Sequence, residues 1–267
     1  MGTPRSDFLA SVVVPVFNER GTVGEVVRRL QELPLRTEII VVDDGSTDGT
    51  SEVLQSLSGI RVLTHAVNRG KGAAIRTALE HCTGDVVVIQ DADLELDIEE
   101  LPKVVAPVAR GEATIVFGSR FTYGMPKEMP WPNKAINIIL RQLVRVLYGA
   151  HLTDVATCYK AVPTEVLRAL QLRCERFEFC PEVTAKVIRY GFQIVEVPLV
   201  GYRPRSVRDG KKIRWKDGVG AIQTLLYWRL RSLPPLPPHI LSSALPQRTI
   251  QPSGARSPQA AKRVGGM

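Results

Sequence analysis

The sequence lacks the long, uninterrupted hydrophobic runs of a membrane-spanning chain. Its strongest candidate, residues 135–152, is broken by Asn137, Arg141, Gln142 and Arg145, whereas a bilayer requires about 20 predominantly apolar residues. The first seven residues also lack the basic-then-apolar pattern of a secretory signal. We therefore expect a cytoplasmic protein that meets the cytosolic membrane face, if at all, as a peripheral protein.

Cysteine is scarce, and no two cysteines form a C-x-x-C pair. The chain has four of them: Cys82, Cys158, Cys174 and Cys180. This count argues against a disulfide framework and against a zinc site, and it predicts buried thiols in a reducing compartment.

The glycine-rich signatures of phosphate binding are missing. No G-x-G-x-x-G follows the first predicted strand, and Gly70–Lys71–Gly72 has neither the length nor the Ser/Thr of a P-loop. The absence argues against a pyrophosphate resting on the first helix and against a sugar nucleotidyltransferase. Any bound anion must then be neutralised by a metal ion and by Arg or Lys.

Positive charge is in excess and unevenly placed. Of the net charge of +8, the segment from Ser232 onward carries +4 and no acid, and residues 203–216 hold seven Lys/Arg against Asp209. Nucleic acid, anionic lipid and a phosphorylated substrate are the competing partners. Nucleic acid ranks last, and we expect none, because no nucleic-acid fold signature is present.

Hydrophobic periodicity places strands and helices in alternation. The 267 residues are 44% hydrophobic and 23% charged, which is ordinary for a globular domain. Predicted strands at 11–16, 38–42, 61–64 and 86–89 are separated by helices, the first opened by a capping box at Thr22-x-x-Glu25. This order predicts an α/β fold with a mostly parallel sheet flanked by helices, whose ligands lie beyond the carboxyl ends of the strands.

An acidic loop follows the most apolar of these strands. If the chain stays extended past Ile89, then Asp91, Asp93 and Glu95 project to one side. Three carboxylates at one strand end repel one another unless a cation lies between them, and such hard oxygen ligands suit Mg²⁺ or Mn²⁺. A solvated acidic turn leading into a helix is the alternative.

The second half of the chain is less regular. An amphipathic helix at 133–148 has an apolar face for which core packing is favoured over membrane contact. The proline-rich residues after Ser232 are predicted to be disordered. The predicted organisation is an N-terminal arm at 1–10, a single catalytic domain at 11–231, and a basic tail at 232–267.

Five motifs stand in order along the chain: Val13–Glu19 (VVPVFNE), Val41–Thr50 (VVDDGSTDGT), Asn68–Gly72 (NRGKG), Asp91–Asp93 (DAD) and Gly118–Phe121 (GSRF). Each is short, but the ordered set resembles family 2 glycosyltransferases with the GT-A fold. Within that family it is most similar to the dolichyl- or polyprenyl-phosphate mannosyl- and glucosyltransferases. The resemblance covers roughly residues 11 to 229.

The resemblance implies a role for each matching residue. The nucleotide pocket contains Pro15, Phe17, Glu19, Asp43, Asp44, Lys71, Gly72, Asp91 and Ala92, and one acid of the Asp43–Asp44 pair accepts hydrogen bonds from the base edge. Asp91 and Asp93 hold the metal, and Glu95 joins them where the branch often has Gln. The catalytic residues are Asp93, Arg120, Asp154, Arg205 and Lys211, the last two from a basic loop that closes over the phosphates.

The implied reaction is an inverting transfer of a hexose from a GDP- or UDP-sugar to a polyprenyl phosphate. A small soluble acceptor, such as phosphoglycerate or another sugar, is the alternative, and an alcohol acceptor requires a general base, for which Asp154 or Glu182 are candidates. A nucleotide- or glycan-binding module without catalysis is the remaining hypothesis. The sequence leaves the sugar, the base and the acceptor open.

Overall fold

The structure, a computed structural model, describes residues 7–127, 129–204 and 215–244. The strands are β1 (Ala10–Val16), β2 (Thr37–Asp43), β3 (Arg61–Thr64), β4 (Val86–Ile89), β5 (Ile115–Ser119), β6 (Lys160–Pro163) and β7 (Ile194–Pro198). The α-helices are α1 (Val23–Gln31), α2 (Thr50–Gln55), α3 (Lys71–Leu79), α4 (Leu101–Ala109), α5 (Trp131–Tyr148), α6 (Thr164–Ala169), α7 (Phe179–Arg189), α8 (Trp215–Leu230) and α9 (Pro238–Ala244).

The seven strands form one mixed sheet in the order β3-β2-β1-β4-β6-β5-β7. The first four strands are mutually parallel, β6 is antiparallel to both of its neighbours, and β7 returns parallel to β5. The predicted α/β architecture with a mostly parallel sheet is therefore confirmed, and β6 is the element that makes the sheet mixed.

The central strands are buried on both faces, which is why they read as continuous apolar runs. Residues 12–14 of β1 and 86–89 of β4 are at most 1% exposed, as expected where helices cover both faces of a parallel sheet. The four cysteines are buried and unpaired, as the sequence predicted. The core thus fixes the carboxyl ends of β1, β2 and β4 side by side.

The first part of the segment predicted to be disordered, from Ser232 to Ala244, is packed against the rest of the protein. Between Ser232 and Ala244 the chain carries α9, and Leu236 and Ile240 are buried. The Tyr190 hydroxyl donates to the Pro234 carbonyl oxygen at 2.5 Å and ties this segment to the end of α7. The buried side chains of Leu236 and Ile240 attach this segment to the core. Residues 245–267 lie outside the described part of the chain.

The Glu38 carboxylate joins β2 to the turn before β4. It accepts hydrogen bonds from the Thr83 amide at 2.5 Å, the Gly84 amide at 2.9 Å and the Ser11 hydroxyl. Burial alone raises the pKa of Glu38, but these hydrogen bonds outweigh it and hold the pKa below the ordinary value of 4.5. The ionised form therefore stabilises the folded chain.

This linkage predicts a pH-dependent effect of Glu38→Gln. A depressed folded-state pKa gives stability that is present above pH 4.5 and lost as the pH falls through the folded-state pKa. The variant is expected to melt below the wild type at pH 7, with a difference that shrinks below about pH 4.5. Thermal unfolding from pH 7 to pH 3.5 measures it, with the exposed Glu52→Gln as control; a gap independent of pH contradicts the assignment.

Candidate active site

Hydrogen bonds between loops hold together the carboxyl ends of β1 and β2. The Asn18 side-chain oxygen accepts from the Thr47 amide at 2.8 Å, and the Asn18 amide donates to Ser46 Oγ at 2.9 Å. Asn18 has a positive φ of 51°, a conformation that asparagine tolerates better than most residues. The predicted pocket residues Pro15 and Phe17, both half-buried, lie at this junction.

The two acids at the carboxyl end of β2, Asp43 and Asp44, are already engaged within the protein. Asp44 accepts from the amides of Arg69 at 2.9 Å and Gly70 at 2.7 Å, and His65 Nδ1 lies 2.6 Å from it. Asp43 accepts from the Ser46 amide at 3.0 Å and from a serine hydroxyl of α2. Asp44 thereby fixes the loop that opens α3. The role of either acid toward a nucleotide base stays a prediction.

The backbone of residues 174–176 packs against the N-terminus of α3. The amides of Gly72 and Ala73 donate to the carbonyl oxygens of Arg176 at 2.8 Å and Glu175 at 2.9 Å. A Cβ at Gly72 would lie 2.8 Å from the Cys174 backbone. Gly72 is thus needed for close backbone packing, and these two amides are occupied and cannot receive a phosphate.

We expect Gly72→Ala to destabilise the protein by about 1–3 kcal/mol, because the methyl group meets backbone atoms that cannot move aside. Gly24→Ala in α1 is the matched control, since its added carbon meets only Val53 Cγ1 at 3.7 Å, and it is expected to stabilise by about 0.5 kcal/mol. Urea unfolding of both variants measures the difference. Equal changes in the free energy of unfolding for the two variants would show that the backbone near Gly72 moves to accommodate the added methyl group.

The acidic loop turns instead of continuing the strand. Leu94 has a positive φ of 58°, and the Glu95 amide donates to Asp93 Oδ1 at 3.0 Å. The premise that the three acids alternate on an extended strand is therefore wrong. Among the residues that the structure describes, no group of three His, Cys, Asp or Glu side chains is arranged to hold a metal ion.

The acids nevertheless share one cavity and carry surplus negative charge. Burial, together with the neighbouring charges of Asp91 and Glu95, raises the pKa of Asp93 to about 7. Asp91 forms an ion pair with Lys71, the first residue of α3. Burial lowers the pKa of Lys71, but the negative charge of Asp91 outweighs this effect and holds the pKa above its ordinary value. The loop therefore has one carboxylate paired with an ammonium and a second, Asp93, whose pKa is raised by burial and by its acidic neighbours.

Arg120 and Asp154 form a two-point ion pair at the end of β5. Arg120 Nε lies 2.6 Å from Asp154 Oδ2, and its terminal nitrogen lies 2.9 Å from Oδ1. The guanidinium also lies 4.8 Å from the ring centroid of Phe121 and 5.0 Å from that of Tyr202. One face of the cavity thus holds a cation whose orientation is fixed by a carboxylate and two rings.

The environment of Asp154 suits a positioning residue. The side chain is fully buried and also accepts from the Thr157 amide at 3.1 Å. Burial raises the pKa of Asp154, but the adjacent Arg120 outweighs it and the pKa is lowered. Glu182 is likewise buried, with Lys186 Nζ at 2.6 Å. Both candidate general bases thus have carboxylates engaged by a cation of the protein, and the base role of either stays a prediction.

The cavity has a volume of about 160 Å³ and is lined by both charged and apolar side chains. The charged residues are Lys71, Asp91, Asp93, Glu95, Arg120 and, from α8, Asp217. The apolar lining residues, called here the apolar wall, come mostly from α5 and α7 and include Met129, Ile136, Leu140, Phe179 and Ala221. The predicted catalytic Arg205 and Lys211 lie outside the described residues.

Thr22 organises the site in a way that its sequence motif did not indicate. The Thr22 hydroxyl lies 2.6 Å from the Ala92 carbonyl oxygen and 2.8 Å from Glu19 Oε2, so it joins two predicted pocket residues. It makes no capping bond to α1, and the predicted capping box is wrong because Glu25 pairs with Arg28. The Ala92 partner of Thr22 is far away in sequence, and the Arg28 partner of Glu25 competes with the capping motif, so the sequence pattern did not indicate either contact.

Behind the acidic loop lies a buried polar pair. The Tyr159 hydroxyl donates to the side-chain oxygen of Gln90, and Gln90 Nε2 donates to the Asp91 carbonyl oxygen at 2.8 Å. Tyr159 and Gln90 have no exposed surface. Together they fix the backbone at the start of the acidic loop, a role the sequence did not suggest for either residue.

A mostly parallel sheet whose carboxyl edge carries an acid- and arginine-lined cavity defines the GT-A class of glycosyltransferase folds. The family model described as glycosyl transferase family 2 matches residues 11–170. The chain belongs to that family, as the ordered motifs indicated.

Curated relatives are polyprenyl-phosphate sugar transferases. The chain is 32% identical over 210 residues to an undecaprenyl-phosphate 4-deoxy-4-formamido-L-arabinose transferase of Pseudomonas savastanoi pv. phaseolicola, covering 75% of this chain and 60% of that protein. It is 31% identical over 196 residues to the transferase of the same description from Pseudomonas fluorescens, covering 69% and 55%. The chain thus spans little more than half the length of these relatives.

The fold is also that of glucosyl-3-phosphoglycerate synthase from Mycobacterium tuberculosis. One crystal structure of that enzyme superposes with a TM-score of 0.66 at 25% identity, over 86% of this chain and 83% of the other. A second, in complex with Mg²⁺ and UDP, gives a TM-score of 0.62 at 26% identity, over 84% and 80%. That enzyme has also been crystallised with Mn²⁺, UDP and phosphoglyceric acid.

Proposed function

We propose that the protein is a divalent-metal-dependent inverting glycosyltransferase that moves a sugar from a nucleoside-diphosphate sugar to a polyprenyl phosphate. The observation that carries the proposal is the mixed lining of the cavity. Its acids and Arg120 suit a diphosphate and its cation, and its apolar wall, mostly from α5 and α7, suits a hydrocarbon chain. The named activity of the curated relatives supports the same acceptor class.

The donor set fits a hard divalent cation. Asp91 and Asp93 offer carboxylate oxygens in one cavity. Burial and then the charges of Asp91 and Glu95 raise the pKa of Asp93, and a bound cation would favour its ionised form. Two carboxylates are enough, because Mg²⁺ commonly takes one or two carboxylates together with substrate phosphate oxygens and water. When bound, the cation supplies charge neutralisation for the leaving nucleoside diphosphate.

The residues of the chain orient the two substrates for direct displacement. An oxygen of the acceptor phosphate attacks the anomeric carbon opposite the diphosphate, the bond from that carbon to the diphosphate oxygen breaks, and the configuration inverts. Arg120, held by Asp154, binds a phosphate in a fixed orientation. A phosphate acceptor is already anionic and needs no general base, in agreement with the engagement of Asp154 and Glu182 inside the protein.

A soluble phosphorylated acceptor is the second candidate, favoured by the structural likeness to glucosyl-3-phosphoglycerate synthase. The distinguishing feature is the apolar wall, which a small acceptor does not need. The test supplies purified protein with Mn²⁺ and a panel of GDP-, UDP- and TDP-sugars, with either undecaprenyl phosphate or 3-phosphoglycerate. Formation of a chloroform-soluble sugar lipid supports the proposal, and transfer only to phosphoglycerate supports the second candidate.

Substitution within the apolar wall separates the two acceptors further. Leu140→Gln places a polar group among apolar lining residues and is expected to raise the KM for the lipid phosphate while leaving the KM for the sugar nucleotide unchanged. Absence of any transfer, with nucleotide binding retained, would favour a binding module and contradict the proposal.

The outer face of α5 supports peripheral membrane contact. Trp131 and Val146 are more than three-quarters exposed and Ile138 is about half exposed, and helical spacing places them on one stripe. Arg141 and Arg145 lie along one side of that stripe, and α5 contains no acid. An exposed apolar stripe with basic flanks suits the interface of an anionic bilayer. No helix in the described ranges is long and apolar enough to cross a bilayer.

We expect Ile138→Glu/Val146→Glu to weaken binding to phosphatidylglycerol vesicles by about tenfold, because two carboxylates replace the apolar stripe. Co-sedimentation with vesicles measures the effect. Val67→Glu is the control, since Val67 is similarly exposed but lies in the loop after β3. Equal binding of the double variant and the wild type would remove α5 from the membrane interface.

A further inference from the structure

The ion pair between Lys71 and Asp91 lies where the proposed cation would bind. Both side chains line the cavity, with 16% and 26% of their surface exposed. Lys71 and Arg120 are the two cationic residues that line the cavity in the described part of the chain. Arg120 is committed to Asp154 through two hydrogen bonds. Among the described residues that line the cavity, Lys71 is therefore the cation that pairs with the acidic loop, through Asp91.

The backbone of Lys71 cannot retreat from this position. On one side, the Gly70 amide donates to Asp44 at 2.7 Å, and on the other the Gly72 amide donates to Arg176 at 2.8 Å. An added Cβ at Gly70 would lie 2.4 Å from the Glu175 carbonyl oxygen, so this segment is packed tightly against its neighbour. Only the four-carbon side chain of Lys71 is free to change, and a lysine stem has many rotamers.

Asp91 faces two competing cations. An ammonium and a divalent ion at the same carboxylate repel each other, so entry of one displaces the other. The ammonium supplies a single positive charge to Asp91, whereas a divalent ion supplies two and can also contact Asp93, which lines the same cavity. A nucleoside diphosphate brings further negative charge, and the displaced ammonium can then pair with a phosphate oxygen within reach of its flexible stem.

Building on the proposed function, we propose that Lys71 is a resident counter-cation of Asp91 that yields to the divalent metal and then binds the donor diphosphate. Lys71 thereby makes metal and nucleotide bind cooperatively. Metal alone binds weakly because it must displace the ammonium, whereas metal with nucleotide binds well because the ammonium gains a new anionic partner. By linkage, the same factor applies to the nucleotide affinity.

The test is a set of three titrations of the protein: with Mn²⁺ alone, with UDP alone, and with UDP at saturating Mn²⁺. Binding is measured by calorimetry and by the electron paramagnetic resonance signal of free Mn²⁺. No turnover is needed. Lys71→Met is expected to bind Mn²⁺ alone about tenfold more tightly and UDP with Mn²⁺ about tenfold more weakly, within the usual range of coupling factors. Lys71→Arg keeps the charge and is expected to retain the weak binding of Mn²⁺ alone.

Lys103→Met is the matched control, because Lys103 pairs with Glu100 and does not line the cavity. Its Mn²⁺ and UDP affinities are expected to equal those of the wild type. Unchanged or weaker binding of Mn²⁺ alone by Lys71→Met, with the Mn²⁺–UDP complex still formed, overturns the role of Lys71 and leaves the proposed function standing. If no variant and no wild-type protein binds Mn²⁺ even with UDP, the metal site of the proposed function fails as well.

Discussion

Asp93→Asn is expected to lower kcat for sugar transfer by about a hundred- to a thousandfold, the range seen when a group that stabilises developing charge is removed. Asp93 is the acid whose pKa is raised to about 7 by burial and by the charges of Asp91 and Glu95. Asparagine preserves the shape and can still accept the hydrogen bond from the Glu95 amide. The fold should therefore survive while the attraction for a divalent cation is lost.

The measurement is steady-state transfer with a saturating sugar nucleotide, together with the melting temperature of the variant. Because repulsion among the acids is relieved, the variant is expected to melt at or above the wild-type temperature in the absence of metal. Glu99→Gln is the control, since this exposed acid pairs with Arg29 outside the cavity. Wild-type turnover by Asp93→Asn would remove the acidic loop from the chemistry.

Asp154→Asn is expected to lower the free energy of unfolding by about 3 kcal/mol, because it leaves the Arg120 guanidinium without its counter-charge in a largely buried site. The asparagine can still accept from the Thr157 amide through its oxygen, so the loss is that of the charge. Turnover is also expected to fall, because Arg120 loses the two-point contact that orients it.

A second variant separates stability from catalysis. In Arg120→Gln/Asp154→Asn both charges are removed, so part of the lost stability should return while turnover stays low. Urea unfolding and the transfer assay, run on the same preparations, give the comparison. Glu112→Gln, which breaks the exposed pair with Arg110, is expected to leave the unfolding curve unchanged. A stability of Asp154→Asn equal to wild type would contradict the buried ion pair.

The order of strands and helices was predictable because their signals are local. The strand at Arg61–Thr64 lies where its apolar residues and the flanking turns placed it. The apolar run Val86–Ile89 is likewise a buried central strand. A period of two or of 3.6 residues can be read within a single window, without knowledge of the rest of the chain.

Local patterns misled where a distant group competed for the same side chain. Thr22 carries a capping-box signature, yet its hydroxyl bonds to Ala92, 70 residues away in sequence. The acidic loop has the alternation of a strand, yet the chain turns at Leu94. At Thr22 a contact available only in the folded chain outweighs a capping preference worth about 1 kcal/mol. In the acidic loop the Glu95 amide donates to Asp93, a local bond that the alternating pattern did not indicate.

The sequence by itself determined the family, the α/β order of elements and the identity of the acids and the arginine at the sheet edge. Only the tertiary structure decided which of those groups are free to act: it pairs Asp91 with Lys71, commits Asp154 to Arg120 and buries Glu182 against Lys186. The reason is physical. A side chain's ionisation and orientation depend on the charges and burial around it, and two of these three pairs join residues that no local pattern connects.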